Sequence, residues 1–119
     1  MRDNVEIYTI SLIHAIRDSR EYREFEMAKR AVENKPELKV QLVEFRKENF
    51  QIQNMENSEN FFQIVEDFRK KKDEFLKNPL VAEYLRCELA VCRMLQKIAL
   101  SVVDAVDLEL EEVAKDIRC

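Results

Sequence analysis

The chain has 119 residues, contains neither glycine nor tryptophan, and is 37% charged and 46% apolar. Without glycine, the tight hairpin turns and phosphate-binding loops that need positive φ lack their usual residue. The length predicts a single domain over residues 1–119. The composition is typical of long amphipathic helices, and its apolar content argues against disorder.

The net charge of −4 is concentrated at the C-terminal end of the chain. From Asp104 onward six acidic residues stand against two basic ones, whereas the charges before this point cancel. A globally basic field for nucleic acid is therefore missing. No stretch approaches the ~18 apolar residues of a membrane span, and the N-terminus shows no signal-peptide pattern. We expect a cytoplasmic protein.

Apolar residues at spacings of three and four predict four helices ahead of the last proline. The first covers about residues 4–17, and the second begins after Ser19 as N-cap and ends near Asn34. Pro36 starts the third, cap-forming residues place a loop or kink near residues 55–59, and the fourth follows. Their apolar positions are, in chain order, Val5, Tyr8, Leu12, Ile13 and Ile16; Tyr22, Phe25, Ala28 and Val32; Leu38, Leu42, Phe45 and Ile52; and Phe61, Ile64, Val65, Phe68, Phe75 and Leu76.

A fifth and much longer helix is predicted from Asn78-Pro79 to the end of the chain, because no glycine or proline follows. Asn78 suits the N-cap and Pro79 the first helical position. At ~1.5 Å per residue the helix would be about 55–60 Å long, so its apolar stripe needs a partner. That stripe consists of Leu85, Leu89, Cys92, Leu95, Ala99, Val102, Val106, Leu110 and Val113. The fold class is therefore predicted as all-α, with about five helices in an elongated bundle and one long C-terminal helix.

The sequence contains few residue patterns that could support catalysis. His14 is the single histidine, which excludes a triad or a multi-histidine metal site within one chain and favours a structural or partly exposed role. No Glu-x-x-His pattern and no recognisable carboxylate constellation is present. We therefore predict a protein that is not an enzyme, with no catalytic, cofactor-binding or metal-binding residues and no cofactor.

Three cysteines give an odd count with no disulfide pattern, which suits a reducing cytosol. Cys87 and Cys92 lie five positions apart, so on an intact helix their sulfurs point about 140° apart and cannot share one metal. Cys92 falls in the apolar stripe and is predicted as a small core residue, whereas Cys87 is predicted to be the more exposed. A metal or iron–sulfur site that also uses Cys119 and is assembled across chains stays open.

Arg69-Lys70-Lys71-Lys72 is the one basic run, and acidic residues flank it on both sides. We interpret it as a solvated helix face with ion pairs between successive turns, such as Glu66 with Lys70. The alternative is direct RNA binding, which the adjacent acids weaken. We expect no direct contact with nucleic acid.

The helix starts and apolar positions recur in four segments, which are residues 18–25 (DSREYREF), 36–38 (PEL), 44–53 (EFRKENFQIQ) and 78–85 (NPLVAEYL). In their order and spacing these segments resemble the YlbF/YmcA family of small bacterial regulators, over about residues 4–105. The resemblance implies an all-helical, cytoplasmic protein that self-associates. It also implies a role like that of well-known members, which form a complex that assists ribonuclease Y in mRNA maturation and affect competence, biofilm formation and sporulation.

Two positions depart from the family pattern. Lys35 precedes Pro36 where the family often has aspartate, so this helix start lacks a good cap. Some members bind iron–sulfur clusters through cysteines near the C-terminus, where this chain has Cys119 alone, and the cluster is not carried over.

The leading hypothesis is a non-enzymatic helical homo-oligomer, dimer or tetramer, that binds a regulatory or RNA-processing protein and no membrane. The alternative is a redox sensor that uses Cys87, Cys92 and Cys119 across chains.

Overall fold

The computed structural model describes residues 3–55 and 59–106, and these form five α-helices without a strand. The helices are α1 (Asn4–Asp18), α2 (Arg20–Glu33), α3 (Pro36–Gln53), α4 (Phe61–Phe75) and α5 (Pro79–Val106). The all-α class, the number of helices and the long last helix are confirmed. α5 has 28 residues and is thus about 42 Å long. The predicted continuation of this helix, with every acidic residue of the segment after Asp104, falls on residues 107–119, outside the described part.

Local capping explains where the helices begin. The Ser19 hydroxyl accepts a hydrogen bond from the Tyr22 amide at 3.2 Å, ahead of α2, so the predicted N-cap is confirmed. The Asn78 side chain accepts one from the Leu80 amide at 3.0 Å at the start of α5. Lys35 precedes α3 without any side-chain cap, as the departure from the family pattern predicts.

Replacing the Asn78 cap is expected to destabilise the protein by about 1 kcal/mol, because Asn78→Ala leaves a first-turn amide of α5 without its acceptor. Asn78→Asp is the matched control, since it keeps an acceptor oxygen and adds a negative charge at the positive end of the helix. Urea unfolding followed by circular dichroism measures both changes. Equal loss of unfolding free energy in the two variants would contradict the capping role.

The chain divides into two compact units. The central unit is Ala28–Tyr84, and the terminal unit combines the described residues of Met1–Met27 with those of Leu85–Cys119. α2 and α5 each contribute residues to both units. The single domain predicted over residues 1–119 stays a prediction.

The central unit has an aromatic core between α3 and α4. The Phe45 ring stacks on Phe68 at 5.3 Å between centroids and meets Phe75 at 5.5 Å. Arg46 on α3 donates a hydrogen bond to the Tyr84 hydroxyl at 3.0 Å, and its guanidinium lies 5.5 Å from the centre of that ring. The buried side chains of this unit are Ala28, Val32, Leu38, Leu42, Phe68 and Val81.

Among the described residues, the terminal unit buries fewer hydrophobic side chains than the central unit. Cys87 is its buried hydrophobic side chain among the described residues, and α1 has no buried residue at all. Tyr22 and Phe25 make a tilted ring contact at 6.3 Å. An ion pair at 3.5 Å joins Arg86 on α5 to Glu24 on α2.

Candidate interaction surfaces

The exposure of the two described cysteines is the reverse of the prediction. Cys87 is 1% exposed, whereas Cys92 is only partly buried. The prediction was wrong because it judged Cys87 by Arg86 and Glu88, although neighbours along a helix point about 100° away and do not report on the residue between them. Arg86 Nη2 lies 3.5 Å from the Cys87 sulfur. Neither of these two cysteines forms a disulfide within the described part of the chain, and Cys119 lies outside that part.

Because burial keeps reagents away from the sulfur, the Cys87 thiol is expected to react only when the protein opens. In a variant with Cys87 as sole cysteine, labelling by a water-soluble disulfide reagent should be at least about 100-fold slower in buffer than in 6 M urea. A sole-Cys92 variant supplies the comparison with a partly exposed thiol. Rapid native labelling of Cys87 would contradict this burial.

No group of three or more metal-ligating side chains comes together within residues 3–55 and 59–106. His14 is exposed on α1, and its structural or partly exposed role stays a prediction. Within the described ranges, none of the five helices combines the length and the apolar character that a membrane span requires.

Two residues of the basic run on α4 form ion pairs. Arg69 donates to both carboxylate oxygens of Glu66 and lies 3.5 Å from an oxygen of Asp73. Lys71 reaches Glu48 on α3 at 3.2 Å. The face with ion pairs between successive turns is therefore present, but Glu66 takes Arg69 rather than the predicted Lys70 as its hydrogen-bonded partner.

These ion pairs are exposed, and the pair between Glu66 and Arg69 shifts the pKa of both groups in the direction that favours their charged forms. The hydrogen bond from Arg69 lowers the pKa of Glu66 and raises the pKa of Arg69. Solvent screens such pairs strongly, so they hold the local geometry of α4 more than they stabilise the fold. What matters for function is that Arg69 and Lys71 are already engaged with carboxylates.

The terminal unit carries a set of exposed apolar side chains, called here the terminal apolar set. Tyr8 on α1 is 71% exposed and Val102 on α5 is 54% exposed. The members on α5 belong to the apolar stripe that the sequence predicts. The set consists of Val5, Ile7, Tyr8, Leu12 and Ile13 on α1 and Leu89, Val102 and Val106 on α5. Several large apolar side chains that stay exposed within one compact unit are typical of a surface that meets another protein.

The central unit has a shallow groove of about 350 Å³ between α3 and α4. The groove is lined by the Phe45, Phe68 and Phe75 rings together with Lys71 and Glu48. This lining is mainly apolar and brings together no nucleophile with a base, so the groove suits an apolar side chain rather than a reaction.

The sequence matches the family described as "Control of competence regulator ComK, YlbF/YmcA" over residues 8–107, which is most of the chain. The chain belongs to the YlbF/YmcA family. This match confirms the resemblance inferred from the helix starts and apolar positions.

The YlbF/YmcA chain is also similar to curated proteins that carry the name UPF0342. A UPF0342 protein of Caldicellulosiruptor saccharolyticus is 26% identical over 110 residues, which cover 91% of this chain and 92% of that protein. A UPF0342 protein of Caldicellulosiruptor bescii is 24% identical over the same length and coverage. No solved structure matches the chain significantly.

Proposed function

We propose that this YlbF/YmcA chain is a non-enzymatic regulatory protein that self-associates and acts by binding another protein. The family is described by its control of the competence regulator ComK. The observation that carries the proposal is the terminal apolar set, which no other described part of the chain covers. Burial of such side chains is the main driving force of protein association.

The proposed assembly is a dimer or tetramer formed through α1 and α5. α1 is apolar over much of its circumference yet has no buried residue, and a helix of this kind is normally enclosed. The apolar stripe of α5 recurs every three or four residues, as in a helix–helix seam. A second copy would supply the missing cover for both helices.

By resemblance to the family, we further propose that the cytoplasmic assembly supports mRNA processing by ribonuclease Y. Deletion of the gene in the native host, followed by mapping of transcript ends that depend on ribonuclease Y, tests this. Uncleaved precursors should accumulate and disappear on complementation with the wild-type gene. Unchanged transcript ends in the deletion strain would contradict the role in mRNA processing while leaving self-association untouched.

The alternative of a cysteine-based redox sensor receives no support from the described residues. Cys87 is enclosed, so it is poorly placed to ligate a metal shared with another chain. Direct RNA binding by the run on α4 is also the weaker reading, because Glu66, Asp73 and Glu48 lie beside Arg69 and Lys71 and reduce the positive field of the run. Anaerobic purification with visible spectroscopy and iron and zinc analysis tests the sensor hypothesis, and coloured or metal-loaded protein would revive it.

A further inference from the structure

α3 is apolar on two sides, and Val40 at the start of the second side also borders the groove between α3 and α4. Leu38, Leu42 and Phe45 lie on its inner side, where the first two are buried and the third meets the rings of α4. A second stripe lies roughly 160° around the helix, at 100° per residue. This outer stripe consists of Val40, Val43, Lys47 and Phe50.

The outer stripe is exposed along about 15 Å of helix. Val40 is 61% and Phe50 is 53% exposed, and Val43 is similarly open to solvent. Single exposed apolar residues are ordinary on protein surfaces and need no explanation. Here, however, the spacings of three, four and three residues are those of a helix–helix seam, and they place all four side chains in one row.

Lys47 lies in the middle of this row. It has no ion pair among the residues that the structure describes, in contrast to Lys71 and Lys77, which reach carboxylates at 3.2 Å and 2.9 Å. A helix that covered the row would bring one of its own side chains against the Lys47 ammonium. An acidic side chain there would gain a charge-assisted contact, whereas a basic one would meet repulsion.

A second copy of the chain fits this row poorly. In a parallel symmetric pair, Lys47 of each copy would face the same residue of the other within the seam. In an antiparallel pair, each edge of the row would meet the same edge of the other copy, so that Glu37 and Glu44 would lie near glutamates and Lys39 near basic residues. Each arrangement therefore brings like charges together, which a different partner avoids.

We propose that the outer stripe of α3 binds an amphipathic helix of another protein, with an acidic residue in that helix opposite Lys47. This rests on the proposed function as a regulator that binds a protein, and it assigns the face for that contact. The apolar residues of the row supply the affinity, and Lys47 selects the partner by charge. The terminal apolar set remains for self-association.

Two synthetic helical peptides of three heptads test the proposal. The central seam position carries glutamate in one peptide and lysine in the other. Both peptides have leucine at all other seam positions and identical residues elsewhere. Fluorescence anisotropy with wild-type protein should give about tenfold tighter binding of the glutamate peptide. Lys47→Glu should reverse this preference, because it reverses the charge in the middle of the row.

Val43→Asp combined with Phe50→Asp should weaken both peptides by at least about tenfold, since it places carboxylates in the apolar row. Phe62→Asp is the matched control, because Phe62 is also exposed but lies on α4. Thermal melts followed by circular dichroism check that all variants are folded.

Several results would overturn the proposal: no saturable binding of either peptide, equal affinity for both, or an unchanged preference in Lys47→Glu. A lower native mass of the Val43→Asp, Phe50→Asp variant would also overturn it, because the row would then be covered by a second copy. The charge preference is measured independently of transcript processing. Failure of this inference and failure of the proposed function are therefore distinguishable.

Discussion

A double variant, Tyr8→Asp with Val102→Asp, is expected to dissociate the assembly into monomers at micromolar concentration. Covering the exposed half of a large apolar side chain contributes about 1 kcal/mol, so four substituted sites in a dimer remove about 4 kcal/mol. This corresponds to a roughly thousandfold weaker association. The buried carboxylates add a desolvation penalty. Sedimentation equilibrium over a range of concentrations measures the dissociation constant.

Met27→Asp provides the matched control for this variant. Met27 is 71% exposed, as Tyr8 is, but it lies on α2 and outside the terminal apolar set. Its substitution should leave the dissociation constant unchanged. Dissociation by Met27→Asp to the same extent would show that any added surface charge disrupts the assembly, and would contradict the assignment of the interface to α1 and α5.

Phe68→Ala is expected to cost about 3–5 kcal/mol of unfolding free energy. Phe68 is 8% exposed, and its ring stacks on Phe45, so truncation removes both buried area and a ring contact from between α3 and α4. A loss of this size is a large share of the stability of an ordinary small domain. Chemical unfolding by urea, followed by circular dichroism, measures it.

Phe62 on the same helix gives the control for this core substitution, because it is 80% exposed. Phe62→Ala removes the same atoms from solvent-facing positions and should change the unfolding free energy by less than about 0.5 kcal/mol. Similar losses in the two variants would mean that the aromatic core does not hold α3 against α4.

The helix starts could be predicted from the sequence because capping is a local property. Ser19 and Asn78 each accept a hydrogen bond from an amide two or three residues onward, within reach of a short stretch of chain. The apolar residues of α4 could be predicted for the same reason, since Phe68 and Phe75 repeat at helical spacing. These local signals also carried the resemblance to the YlbF/YmcA family.

Contacts between helices could not be predicted in this way. The enclosure of Cys87 depends on what packs beside α5, and its charged sequence neighbours gave the wrong indication. Arg46 meets Tyr84 across a separation of 38 residues, which no periodicity reveals. The outer stripe of α3 was missed because the inner stripe, through Leu42 and Phe45, accounts for the helix by itself.

The native mass of the wild-type protein tests the central claim most directly. Size-exclusion chromatography with light scattering at micromolar concentration should give two or four times the 14.2 kDa of one chain. The Tyr8→Asp, Val102→Asp variant should give one chain mass with an unchanged helical spectrum. A wild-type protein that is strictly monomeric and melts cooperatively would contradict self-association through α1 and α5.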